Sequence, residues 1–136
     1  NEILLSKDIE LIKSQFRFQG FYFAKVESDQ TISEVVVVAE SDCGNLQFPE
    51  SESFGQSFLA SLGMVGVWLQ SSFTGEFRKH PATIGGKYII SADVFTYPQP
   101  YPSWVLDSDY EWQAPTPKPD ADGFWYWDEA EQKWQR

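Results

Sequence analysis

Residues 21–39 have the sequence FYFAKVESDQTISEVVVVA, and this stretch decides the fold. Two runs rich in aromatic and β-branched residues flank the polar turn Ser28-Asp29-Gln30, which is typical of an antiparallel hairpin. The four consecutive valines of Val35–Val38 predict a strand that is covered on both faces.

A helix is predicted to begin near Glu52, with Ser51 or Ser53 as its N-cap. Apolar residues recur at i, i+4, i+5 and i+8 and predict its buried face: Phe54, Phe58, Leu59 and Leu62. Gly63 or Gly66 is expected to end the helix.

Two further β segments follow this helix. Residues 67–70 predict a third strand, and residues 87–97 predict a hairpin turning at 91–93. The loop between them carries Arg78-Lys79-His80, which we interpret as a solvated basic loop or as an anchor for an acidic neighbour. The fold class is therefore α+β: a small antiparallel sheet with one packed helix, followed by proline-linked aromatic β-hairpins.

The composition changes after Tyr97. Alternating prolines at 98–102 and 115–119 predict extended connectors, and the segments 104–112 and 124–134 predict two hairpins with aromatic ends around acidic turns. Five of the six tryptophans lie in this section. They are expected to form a small core, a stacking platform for sugars, or a subunit interface. The candidate interaction residues here are Trp104, Trp112, Trp125, Tyr126, Trp127 and Trp134.

Residues 1–20 are predicted to form a separate N-terminal segment. Their apolar residues are spaced 4, 3 and 4 apart and favour one face of a helix, ended by Gly20: Leu5, Ile9, Ile12 and Phe16. A helix this short needs a surface to dock on, either its own domain or a neighbouring protein. We therefore divide the chain into a docking segment (1–20), an α+β domain (21–97) and a hairpin appendage (98–136).

Composition and motifs argue against several function classes. The net charge of −10 disfavours nucleic acid as a partner, and no apolar run is long enough to insert into a membrane. Cys43 and His80 are the only residues of their types, so we expect no zinc site and no thiol or serine triad. No phosphate-binding glycine loop is present. The chain is predicted to be non-enzymatic and to use no cofactor.

An ordered series of motifs resembles a known family. Its specific part is C-terminal: Pro100-Tyr101-Pro102-Ser103-Trp104, then a Trp-x-x-Pro-x-Pro-x-Pro stretch at 112–119, then Tyr126-Trp127-Asp128-Glu129 and Trp134. With these motifs, residues 21–136 resemble small proteins of marine, cyanophage-type tailed bacteriophages. The chain departs from that pattern in residues 1–20 and at the start of the strand at Lys87.

The resemblance implies a place in the virion and carries no catalytic residue. Our first hypothesis is a virion structural protein of the capsid, neck, tail or fibre that binds other phage proteins or a second copy of itself. The alternative is a fibre module that reads host surface glycans through Trp104, Trp112, Trp125 and Trp127. A third hypothesis is an acidic protein that blocks a basic factor in the host cytoplasm.

Overall fold

The computed structural model describes residues 20–136, so the N-terminal helix predicted from Leu5, Ile9, Ile12 and Phe16 lies outside the described residues. The described part is α+β, as predicted. Its elements are β1 (Gly20–Val26), β2 (Ile32–Ala39), a 3-10 turn (Glu40–Cys43), α1 (Glu50–Ser61), β3 (Val67–Ser71), β4 (Lys87–Ile89), β5 (Val94–Thr96), β6 (Val105–Leu106), β7 (Trp112–Gln113), β8 (Tyr126–Asp128) and β9 (Lys133–Gln135).

The main sheet has three antiparallel strands in the order β2-β1-β3. The predicted β1–β2 hairpin is confirmed, and its turn places Gln30 at a φ of 73°. Asp29 Oδ1 accepts a hydrogen bond of 2.9 Å from the Thr31 backbone N–H, which stabilises the turn. Gly20, which we expected to end the N-terminal helix, is the first residue of β1.

The sheet is packed on both faces. On one face, α1 covers a cluster of Phe23, Val38, Cys43, Leu59 and Trp68. On the other face, Phe95 of β5 packs against Ala24, Val26 and Ile32. The sheet is therefore the middle layer between α1 and the β4–β5 hairpin.

The prediction of a fully covered valine strand is wrong at one position. Val36 and Val38 pack on the α1 side, and Val35 packs on the Phe95 side. Val37 remains 47% exposed. The reason is that Phe95 covers the end of the sheet near the β1–β2 turn, whereas Val37 pairs with Tyr22 near the opposite end.

Helix α1 starts two residues before the predicted Glu52, and neither predicted serine caps it. Pro49 is the N-cap residue, and the cap has no side-chain hydrogen bond. Ser51 Oγ instead donates a buried hydrogen bond of 2.7 Å to Gln70 Oε1 on β3. The hydroxyl that we expected to cap the helix thus joins α1 to the sheet.

The buried face of α1 agrees with the prediction only in part. Leu59 is buried as predicted, and Phe58 is partly buried against the same core. The other buried residues are Ser51 and Gly55, whereas Phe54 and Leu62 are exposed. Gly55 lets the Phe23 ring approach so closely that a Cβ atom there would lie 2.1 Å from Phe23 Cζ. The end of the helix is as predicted, because Gly63 has a φ of 80° and its N–H donates to Ala60 O at 2.9 Å.

Side chains cap the main-chain groups at the outer edge of β3. The Gln70 N–H donates to Glu52 Oε2 at 2.8 Å, and Arg78 Nη1 donates to Gln70 O at 3.0 Å. Gln56 Nε2 donates to Trp68 O at 2.6 Å. Because open strand edges promote association between sheets, these three side chains close the edge of β3 to edge-to-edge pairing.

Candidate functional site

Three tryptophans join the two C-terminal hairpins. Trp127 of β8 and Trp134 of β9 are cross-strand partners whose ring centroids lie 5.4 Å apart. Trp104, before β6, meets them edge-on at 6.1 and 6.0 Å. Each such pair contributes about 0.5–1.5 kcal/mol beyond the area it buries. The three rings therefore form the small core that was one of the three predicted roles, and hairpins this short need such a core.

An aspartate organises the turn of each hairpin. Asp107 Oδ1 accepts hydrogen bonds from the Glu111 and Asp109 backbone N–H groups, which hold its pKa below the ordinary value. Asp128 Oδ1 accepts from the Glu131 N–H in the second turn, and its pKa is lowered for the same reason. Asp107 and Asp128 are thus both engaged in turn formation.

Each hairpin also holds the chain just before a proline. Trp112 Nε1 donates to the carbonyl of Tyr97, which precedes Pro98, at 2.8 Å. Trp134 Nε1 donates to the carbonyl of Thr116, which precedes Pro117, also at 2.8 Å. Gln113 and Gln135, the residues after these tryptophans, donate to the aspartate of their own turn at 3.0 and 2.9 Å. The two hairpins are therefore two copies of one structural unit.

The first proline stretch is not the extended connector that we predicted. The Trp104 N–H donates to Tyr101 O at 3.1 Å, and Gln99 Nε2 donates to Trp104 O at 2.9 Å. These bonds bend residues 99–104 into a turn that places the Trp104 ring against the second hairpin.

Glu129 fastens the second hairpin to the first. Its carboxylate accepts hydrogen bonds from Trp127 Nε1 at 2.7 Å and from Ser103 Oγ at 2.7 Å. The indole bond is the main reason that the pKa of Glu129 lies below its ordinary value. The contact fixes which face of the second hairpin packs against Trp104.

Aromatic side chains at the start of the second hairpin are exposed. Phe124 is 97% exposed and Tyr126 is 58% exposed. Trp125 lies between them, with the Arg136 guanidinium 4.7 Å from its ring centroid. Trp125 stands three residues before Asp128, as Trp104 does before Asp107. On the first unit this position packs against another hairpin, whereas on the second unit Arg136 lies over it. We call residues 124–126 the aromatic face.

The structure separates the predicted candidates into two groups. Trp104, Trp127 and Trp134 form the small core, and Trp112 anchors the chain at Tyr97. Trp127 is only 4% exposed, so the prediction that it is a sugar platform is wrong. Trp125 and Tyr126 remain as candidates. Phe124 was missed as a candidate, because strand alternation gives no clear choice of face in the all-aromatic run of residues 124–127.

The basic triplet is not a solvated loop. Arg78 forms ion pairs with Glu52 and Asp93, and its guanidinium lies 5.1 Å from the Phe48 ring centroid. Burial works against the charge, but hydrogen bonds to both carboxylates raise the pKa of Arg78. Lys79 Nζ lies 3.4 Å from Glu111 Oε2 in the first hairpin turn. The acidic neighbours of the triplet thus belong to the same chain.

Burial raises the pKa of two further side chains. Loss of solvent contact, with the hydrogen bond to Asp93, raises the pKa of Tyr88 to about 12. Burial also raises the pKa of the Cys43 thiol, which packs in the α1-side core beside Phe23.

Residues 20–136 contain no group of three or more His, Cys, Asp or Glu side chains that could hold a metal ion. No helix in the same part of the chain is long and apolar enough to cross a membrane.

No family model, curated protein or solved structure matches this chain significantly.

Proposed function

We propose that this chain is a non-enzymatic structural protein of a bacteriophage particle, attached to a neighbouring phage protein through its aromatic face. The observation that carries the proposal is the exposure of Phe124 and Tyr126, two residues apart at the start of a hairpin in which the rings of Trp127 and Trp134 pack together. Burying an aromatic side chain of this size contributes about 1.5–3 kcal/mol. Two such rings supply a hot spot of the kind that dominates protein interfaces.

The packing beneath the aromatic face supports this role. The Trp127–Trp134 pair and the Glu129 bonds hold the hairpin in one position, so little conformational entropy is lost when Phe124 and Tyr126 bind a partner. The C-terminal motifs by which the chain resembles the phage proteins, from Trp104 to Trp134, lie in these two hairpins. The resemblance and the geometry therefore favour the same part of the chain as the attachment site.

The test is incorporation of a double variant, Phe124→Ser with Tyr126→Thr, into particles. Both side chains point into solvent, so folding should be retained, as circular dichroism would check. We expect at least a tenfold lower content in purified particles. The matched control is Val65→Ser with Val67→Thr, which removes two exposed apolar side chains from the α+β part. Wild-type retention of the Phe124/Tyr126 variant would reject the aromatic face as the anchor.

A glycan-reading role uses the same face and is the competing proposal. Its support is the half-buried Trp125 ring beside the exposed Tyr126 ring, because sugars stack on such aromatic surfaces. Titration with host surface glycans, followed by tryptophan fluorescence, distinguishes the two roles. A change in the wild type that is lost in Trp125→Ala supports glycan binding, and no change at millimolar sugar removes it.

A further inference from the structure

A second surface lies at the far end of the main sheet, where β1 begins and β3 ends. There a groove of about 380 Å³ is lined by residues that include Gly20, Phe48, Gln70, Phe73, Glu76 and Phe77. Its volume is at the low end of the range for ligand pockets, which suits a few side chains rather than a large molecule.

The walls of the groove are aromatic and held in place. Phe48 and Phe77 stack in parallel with ring centroids 3.7 Å apart, and the Arg78 guanidinium lies over Phe48. Phe73, on another part of the lining, is 63% exposed. The floor is polar, since Gln70 is buried and fixed by its bond to Ser51. The groove thus offers a rigid apolar wall to a side chain that enters it.

The position of Gly20 argues for an occupant from the same chain. Gly20 lines the groove, so residue 19 is covalently attached at its rim. Phe16 is four residues away, which keeps its Cα within about 14 Å of Gly20 even in a fully extended chain. A tether this short gives an effective concentration in the millimolar range or above, which favours the attached segment over a free competitor.

The sequence of the attached segment complements the groove. Residues 11–19 have the sequence LIKSQFRFQ, in which apolar and aromatic residues alternate with Lys13 and Arg17 and no acid is present. The chain as a whole carries a net charge of −10, and Glu76 lies at the groove. We propose that residues 11–19 of this chain occupy the groove in cis, with the Phe16 side chain against Phe73 and Phe77.

Photo-crosslinking in the full-length protein tests this proposal. Phe73 is replaced by benzoylphenylalanine, which keeps an aromatic ring at an exposed position, and the crosslinked peptides are mapped by mass spectrometry. We expect crosslinks within one chain to residues 11–19, with a yield that does not change on dilution. The same probe at Val65, which is 82% exposed and does not line the groove, should give no such product.

Two variants in the segment refine the test. Phe16→Ser should lower the crosslink yield at least fivefold, whereas Leu5→Ser, outside residues 11–19, should leave it unchanged. Dimeric crosslinks that increase with protein concentration would assign the groove to a second copy and overturn the cis proposal. A monomeric protein whose Phe73 probe reacts only elsewhere, or with nothing, also overturns it.

Discussion

Single residues decide how the layers of this protein meet. The clearest case is Gly55, which has no side chain and so lets the Phe23 ring lie against the α1 backbone. Periodicity of apolar residues cannot reveal such a contact, because it scores side chains that are present. This is why the burial of Leu59 was predicted, whereas the burial of Ser51 and Gly55 and the exposure of Phe54 and Leu62 were not.

Replacing Gly55 by Ala should therefore destabilise the protein. The added methyl group overlaps the Phe23 ring, and overpacking of this kind costs about 1–3 kcal/mol, more than the roughly 1 kcal/mol that alanine gains over glycine in a helix. Urea unfolding followed by far-ultraviolet circular dichroism measures the change. Ser57→Ala, at an exposed position of the same helix, is the control and should be neutral or stabilising. An equal gain in both variants would contradict the close packing.

At the scale of elements, the C-terminal half contains the same hairpin unit twice. Strands of two or three residues are too short to persist alone, and in each hairpin an aspartate holds the turn while a tryptophan holds the preceding chain. The sequence predicts both hairpins, because aromatic runs flank acidic turns. It does not predict that Trp127 is buried and Phe124 exposed, since the run 124–127 offers four large apolar side chains in succession.

Protonation of carboxylates at low pH should unfold the C-terminal half. The pKa values of Asp107, Asp128 and Glu129 lie below their ordinary values of 3.8, 3.8 and 4.5, because hydrogen bonds stabilise the charged forms. A lowered folded-state pKa stabilises the fold above the unfolded-state pKa, and this contribution is lost as the pH falls through the folded-state value. We expect the near-ultraviolet circular dichroism of the tryptophan cluster to be constant near neutral pH and to disappear as the pH falls below about 4.5.

Glu129→Gln is the matched variant for this titration. It keeps the shape of the side chain but removes the charge that accepts bonds from Trp127 and Ser103. The variant should be less stable at pH 7, and its stability should vary less with pH than that of the wild type. An identical pH dependence in both proteins would exclude Glu129 from the acid transition.

At the scale of the whole molecule, side-chain contacts form a joint between the α+β part and the first hairpin. Trp112 donates to Tyr97 O, and Lys79 approaches Glu111 across the joint. The layered α+β part follows from strand-forming runs and turn signals and was predictable. The contact between the two halves could not be predicted, because it depends on Glu111 meeting a basic loop that lies 32 residues earlier in the chain. The outcome is a body that holds the aromatic face of residues 124–126 toward solvent.

We propose that this protein is a component of a bacteriophage particle, and quantitative mass spectrometry of purified phage particles tests that proposal most directly. The account predicts that the chain is present in a fixed copy number: hundreds of copies if it belongs to the capsid, or a small multiple of three or six if it belongs to the tail, neck or fibre. Its absence from clean particles, with abundant protein in the infected cell, would contradict the claim and favour an acidic inhibitor of a host factor instead.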